Sequence, residues 1–186
     1  MSSQPHFGMI PDWELITRAR GGDESAWTAL IARHRSRLLK LSLLMTGDPQ
    51  SADDVVQDTF VRLLDYGEEK RGKSFAALAS TVAYRFALTE RQRSAKQNSL
   101  DSANSQDLSP SPLESVLRNE RDRELVQALL GLDDAHRDTL ILRFYGEHSY
   151  EEIARLTGAP LGTVKSRIFY AVKQCRGHLT TKGLIP

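Results

Sequence analysis

Between Gly162 and Arg176 the chain lines up, at helical spacing, groups that hydrogen-bond, groups that stack and groups that carry positive charge. In "GAPLGTVKSRIFYAVKQCR", Val164, Ile168, Val172 and Cys175 fall on one side of a helix, with Leu161 and Leu179 in the same arc. Gly162, Thr163, Ser166, Phe169, Tyr170 and Lys173 fall on the other, and Lys165 and Arg167 stand on the shoulders. Hydroxyl and ammonium groups can reach base edges in a major groove, and aromatic carbons can touch thymine methyls. The shoulder cations can neutralise phosphates. A core helix with a merely solvated outer face would carry charges of both signs. From Ala159 to Lys182 there are five basic residues and no acidic one. Such a face also gives no reason for two adjacent aromatics. The pattern points to duplex DNA.

A second face has the opposite sign. In "SADDVVQDTFVRLLDY", Val56, Phe60, Leu63 and Leu64 form a core stripe, and Asp54, Gln57, Asp58, Val61 and Asp65 lie opposite. That face fits a solvated helix side or docking onto a basic partner, and charge pattern alone does not choose. Downstream, Phe75, Tyr84 and Phe86 are interleaved with Arg85, Arg91, Arg93 and Lys96. Stacking on unpaired bases and packing into a core are equally compatible with that spacing.

Other chemistry finds little support. The five histidines are scattered, and no metal-ligand spacing, phosphate-cradling glycine loop or nucleophile motif is present. No catalytic residue, metal or cofactor is expected, and the chain reads as a non-enzyme. The single cysteine permits no internal disulfide. No apolar run approaches the ~20 residues of a membrane helix, and the N-terminal stretch lacks a signal-peptide pattern. A soluble, cytoplasmic protein without membrane insertion is expected.

The elements that must position these faces are helical, and strand-like alternation is absent. Helices are expected over 12–20, from an Asp23 cap to about Met45, from Ser51 to about Tyr66, and from Ser74 to about Arg93. After a change of composition they resume over about 113–130, 133–145, 149–157 and 161–180. Residues 94–112, rich in Ser, Asn, Gln, Asp and Pro, read as a flexible linker. Its roughly 19 residues reach about 60 Å when stretched. The expected fold is therefore all-α. It has two small helical domains, 1–93 and 113–186, joined by the linker 94–112. In the second, Ser149 and Glu152 make a capping-box pattern, Gly158 suits a left-handed turn and Pro160 suits a first helical turn. Those are the parts of a helix-turn-helix.

Taken together, the chain resembles the extracytoplasmic-function group of the sigma-70 family. "ADDVVQDTFVRLL" is similar to the family's region 2 segment that docks on RNA polymerase, and "SYEEIARLTGAPLGTVKSRIFYAVKQCR" to region 4. The resemblance covers about 12–93 and 113–176. It implies a sigma factor that directs core polymerase to promoters and supports initiation. The implied partners are core RNA polymerase, through its β′ clamp helices and β subunit, and promoter DNA. An anti-sigma protein holds many relatives, although no motif here names one. By match, Asp54, Gln57, Asp58 and Phe60 belong to the docking segment. Lys70, Arg71, Lys73, Ser74, Phe75 and Arg85 belong to the loop and helix facing the separated minus-ten strand. Thr163, Lys165, Ser166, Arg167, Phe169, Tyr170 and Lys173 belong to the reader of the minus-thirty-five duplex. The match puts Lys165 on bases, where the helix face alone puts it on phosphate. The chain departs from its relatives within "SFAALASTVA". Leu78 stands in place of a tryptophan and Ser80 in place of a frequent aromatic or polar residue, and further along Tyr84-Arg85 stand where Arg-Asn is common. The rival reading, an operator-binding regulator independent of polymerase, would need a dimerisation element, and no heptad seam is visible.

Overall fold

The computed structural model describes residues 10–66, 74–100 and 120–185. Among these, every regular element is a helix. The first half holds α1 (Asp12–Arg20), α2 (Glu24–Thr46), α3 (Pro49–Leu64) and α4 (Phe75–Leu100). Asp23 caps α2 as expected, its carboxylate accepting from the backbone N–H of Ser25 and Ala26. Gly47 ends α2 in the left-handed region at φ 74°. The start of α3 differs from the Ser51 expected. Asp48 is the cap, accepting from the Ser51 N–H at 2.7 Å, and Pro49 takes the first turn, where a missing N–H costs nothing.

Helix α2 is the centre of this half, packed by α1, α3 and α4. Leu30, Leu38 and Leu41 of α2 are fully buried, and Leu15 and Leu63 meet the same core. Two tryptophans close its ends edge-on: Trp13 against Phe75, with ring centroids 5.4 Å apart, and Trp27 against Phe60 at 5.7 Å. Helix α4 runs through Leu100, past the Arg93 end expected from composition.

The second half holds α5 (Glu120–Leu130), α6 (Asp134–Phe144), α7 (Tyr150–Thr157) and α8 (Leu161–Thr181). Here α8 is central, packed by α5, α6 and α7. Leu129, Ile141, Leu142, Ile153, Val164 and Ala171 supply the core. The remainder of the expected linker, 101–112, and the expected start of α5 at 113 lie outside the described residues.

The two halves lie against each other, with α2 packed by α5 and α6 and buried apolar groups continuous between them, and polar groups of α4 reach the second half along a seam beside that contact. The Arg91 guanidinium on α4 donates two hydrogen bonds, both 2.8 Å, to the carboxylate of Asp138 on α6. Ser80 Oγ of α4, fully buried, lies 2.9 Å from the Gly146 carbonyl and 2.9 Å from His148 Nε2. With a proton on Nε2 that set closes: the imidazole donates to the hydroxyl and the hydroxyl donates to the carbonyl. His148 Nδ1 is then left buried without a hydrogen bond. On α2, Arg37 pairs with Glu147 at 2.5 Å. Glu147 has φ 59°, a left-handed conformation unusual for a side-chain-bearing residue.

Candidate nucleic-acid interface

The helix-turn-helix forms from local signals. The Ser149 hydroxyl accepts from the Glu152 N–H at 3.1 Å, and the Glu152 carboxylate accepts from the Ser149 N–H at 2.8 Å. That reciprocal bond holds the Glu152 carboxyl below its ordinary range. Gly158, at φ 71°, ends α7, and Pro160 precedes the first turn of α8. The Ile153 side chain of α7 is fully buried, which fixes α7 across the base of α8.

The buried side of α8 is Val164, Ile168, Ala171 and Cys175. This corrects the expected stripe at one position. Val172 is 43% exposed, and Ala171 takes its place. At 3.6 residues per turn, two turns from Val164 arrive at 171, so a valine at 172 is rotated out of the core. Burial pushes the Cys175 thiol pKa up.

On the opposite side the structure brings the expected readers together. Phe169 and Tyr170 are 63% and 58% exposed, their rings edge to face with centroids 5.4 Å apart. Lys165, Ser166 and Lys173 are exposed beside them, and Thr163 and Arg167 are half-buried. Ser166 Oγ donates to the Thr163 carbonyl at 2.9 Å, which commits its proton and leaves the oxygen free to accept. Lys165, Lys173 and Arg176 make no ion pair among the described residues. A row of unpaired cations around two exposed rings is suited to a polyanion with stacked or methyl-bearing faces.

The acidic face of α3 is also assembled. Asp54, Gln57 and Asp58 are exposed, and Val61 between them is 64% exposed. Phe60 is not part of that surface. It is 4% exposed and packs edge-on against Trp27, so its side chain belongs to the core stripe. The expected minus-ten set divides. Lys70, Arg71 and Lys73 lie outside the described residues. Ser74 and Arg85 are exposed at and along α4. Phe75 is 3% exposed, wedged between Trp13 and His34, and offers no ring for stacking here. Tyr84 is buried too, and that burial, with Asp138 nearby, raises its hydroxyl pKa. Its interleaving with cations thus resolves into core packing.

The seam residues were not legible as a site. Ser80 stands out in the sequence only as a departure, and Arg91, Asp138 and His148 carry no local motif. Among the described residues no group of three or more His, Cys, Asp or Glu is placed to hold a metal, and no helix is long and apolar enough to cross a membrane.

The same two regions are matched by family models. Residues 30–97 match Sigma-70 region 2, and residues 128–177 match Sigma-70 region 4. The chain is 31% identical over 175 residues to the ECF RNA polymerase sigma factor SigL of Mycobacterium tuberculosis, covering 91% of this chain and 97% of that protein. It is 29% identical over 172 residues to the RNA polymerase sigma-H factor of Pseudomonas aeruginosa, covering 86% and 89%. The fold is similar to CnrH in its complex with the cytosolic domain of CnrY, with TM-score 0.58, 23% identity and coverage of 91% and 97%. It is also similar to RpoE bound to the anti-sigma factor NepR from Bartonella quintana, with TM-score 0.59, 23% identity and coverage of 77% and 89%. With both regions matched in order, and relatives of this kind aligned over nearly their full length, the chain belongs to the sigma-70 family as an RNA polymerase sigma factor of the extracytoplasmic-function type.

Proposed function

We propose that each conserved task of the family falls on a separate helix face of this chain. The outer face of α8 reads the minus-thirty-five duplex, with Ser166, Lys165, Phe169 and Tyr170 on base edges and Thr163, Arg167 and Lys173 alongside. The exposed part of α3, Asp54, Gln57 and Asp58, docks on the basic β′ clamp helices of core polymerase. Arg85 and Ser74, with the basic loop before them, face the separated minus-ten strand. The site of action is the cytoplasm, where core enzyme and promoter meet, and an anti-sigma protein is a further partner of the kind seen with the fold's solved neighbours. The observation that supports this most is the α8 face, with two exposed aromatics among unpaired cations and no acid. Separating strands costs a few kcal/mol even for single unstacked bases. A chain without a nucleotide-binding motif has no energy source for that step, so opening depends on the polymerase.

The test is to incubate the protein with core enzyme from the same host and genomic fragments that include native promoters, then map RNA 5′ ends. Discrete starts that vanish without the protein are expected. Tight footprinting by the protein alone, with only the background of bare core enzyme in the RNA, would favour the operator-binding regulator instead.

A further inference from the structure

The outward faces of α3 and α8 carry their exposed groups at one and the same spacing. On α3, Asp54, Asp58, Val61 and Asp65 stand at i, i+4, i+7 and i+11, and all four are exposed. On α8, Lys165, Phe169, Val172 and Arg176 stand at the same intervals and are exposed too. At 3.6 residues per turn each set falls within an arc of about 60°, and at 1.5 Å per residue each spans roughly 16 Å of helix. One row reads acid, acid, valine, acid. The other reads cation, ring, valine, cation, with the exposed Lys173 beside it.

Laid antiparallel, the two rows match level by level. Asp54 comes opposite Arg176, Asp58 opposite Val172 and its neighbour Lys173, Val61 opposite Phe169, and Asp65 opposite Lys165. Val61 and Phe169, 64% and 63% exposed, would bury each other at the centre, with opposite charges on both sides of them. Laid parallel, Asp58 would instead meet the Phe169 ring, whose negative face repels a carboxylate. Most of the charges are uncommitted. Among the described residues Asp58, Lys165, Lys173 and Arg176 make no ion pair, and Asp54 has only its long contact from Gln50. Asp65 is the exception, held by Arg62 at 3.0 Å. Both rows are open to solvent in the same chain, so neither covers the other within the molecule. An α3 face that meets an α8 face therefore meets it on another copy.

We propose that the α3 face of one copy docks antiparallel on the α8 face of a second, so that the protein self-associates through unlike, oppositely charged surfaces. The contact is heterologous, and it either closes as a reciprocal dimer or adds copies head to tail. One helix pairing lies at the small end of specific interfaces, so the association is weak and rises with concentration. The self-association stands on the two faces alone. Its consequence rests on the function proposed above: an associated copy has its polymerase-docking face or its duplex-reading face already covered.

The first arm of the test is sedimentation equilibrium of the full chain without polymerase or DNA, under reductant so that Cys175 links no copies. At about 50 mM salt the average mass is expected to climb above the 20.8 kDa of one chain as concentration rises, and to return to it at about 500 mM, where screening acts within a few ångströms. Two variants are compared, with helicity checked by circular dichroism: Asp54→Lys with Asp58→Lys, and Lys173→Glu with Arg176→Glu. Each alone is expected to associate at least tenfold more weakly than the parent. An equimolar mixture of the two is expected to associate again, because each intact face finds an intact opposite and the two reversed faces match each other. A parent that stays monomeric at low salt, or keeps its mass in both variants, overturns the proposal. A mixture that stays monomeric overturns the pairing of these two faces. In a Cys175→Ser background, Val61→Cys mixed with Phe169→Cys is expected to give more disulfide-linked dimer than Val61→Cys mixed with Val172→Cys. The opposite order overturns the antiparallel register.

The second arm adds a dye-labelled native promoter duplex to the associated parent. The oligomers are expected to dissolve into single copies on duplex. Oligomers that keep their mass while bound to it overturn the covering of the α8 face. Self-association in the first arm, with no binding of promoter duplex or core polymerase by any variant, would support the docking of copies and overturn the proposed function.

Discussion

Helices α3 and α8 each turn a face of one charge sign to solvent, with a large apolar group at its middle: Val61 on α3, and Phe169 with Tyr170 on α8. They differ in how that charge is already spent. On α3, Asp53 pairs with Arg35, Gln57 donates to Asp53 at 3.2 Å, and Arg62 pairs with Asp65. Asp54 has only a long contact from Gln50, at 3.4 Å. On α8, Lys165, Lys173 and Arg176 have no ion-pair partner among the described residues. A face of unpaired cations loses little of its own structure when it meets a polyanion, and it gains by releasing counterions. A face with local partners must bind through the few groups left over. This is why charge and shape alone point to a polyanion for α8, whereas the docking role proposed for α3 comes only through resemblance.

The largest effect should come from Phe60, which tests whether the α3 surface stops at its acids. Phe60→Ala is expected to destabilise the protein by about 3–5 kcal/mol, as for other buried aromatics. Urea denaturation would show this as a lower midpoint. An unchanged midpoint with weaker polymerase binding would put Phe60 on the surface after all. Next, Asp54→Lys with Asp58→Lys should leave melting nearly intact, since exposed charges contribute little. It should weaken association with core polymerase by roughly a hundredfold or more through like-charge repulsion. A pull-down with undiminished polymerase would return the α3 face to plain solvation.

The α8 face should respond more gently and more selectively. Ser166→Ala is expected to cost about 1–3 kcal/mol on promoter duplex and nothing on random duplex. Lys173→Ala should weaken both alike and reduce the slope of log affinity against log salt by about 1. Equal losses on both duplexes for Ser166→Ala would remove its base-reading role. The smallest effect belongs to Val172→Ala, within about 0.5 kcal/mol because the side chain is exposed. A loss of several kcal/mol in thermal denaturation would show that Val172, not Ala171, faces the core.

How much was legible follows the range of the interactions. The capping box, Gly158 and Pro160 act within a few residues, and α7 and α8 start where they say. Helix α3 starts before the expected Ser51 because Asp48 is as good a capping residue as Ser51. The choice fell to Asp48 because Pro49 is accommodated in the first turn. Val172 was assigned to the core because 164, 168 and 172 look regular at a spacing of four, while the helix turns every 3.6 residues. Helix α4 outlasts its apolar pattern because Arg91 near its far end is anchored by Asp138, 47 residues away. Its last described side chains, from Arg93 to Gln97, are mostly solvent-facing. Polar composition there was read as linker, yet a helix tethered at one end can continue through polar residues. The seam was invisible for the same reason. Serine, glycine and histidine separated by up to 68 positions make no pattern until the chain is folded.

The unsatisfied Nδ1 of His148 makes the packing of the two halves a matter of proton count. Burial lowers this imidazole's pKa below its ordinary 6.5. Glu152, 3.8 Å from Nδ1, and Glu147 pull it up, while Arg37 pushes it down. Ser80 and the Gly146 carbonyl fill the Nε2 side, where the donated proton already sits. The closed molecule therefore binds fewer protons here than an open one whose His148 meets water. Above about pH 6.5 both forms are neutral at this site and closure is unopposed. As the pH falls through 6.5 toward the lowered value, protonation favours the open form, and below that value the bias stops growing. A donor–acceptor dye pair with one dye on each half should report falling transfer over that window, and His148→Gln should flatten the response. A parent profile level from pH 7.5 to 5.5 would mean that this ring stays buried in both states. Acidification would then act on the molecule without any second protein, loosening the hold of one half on the other.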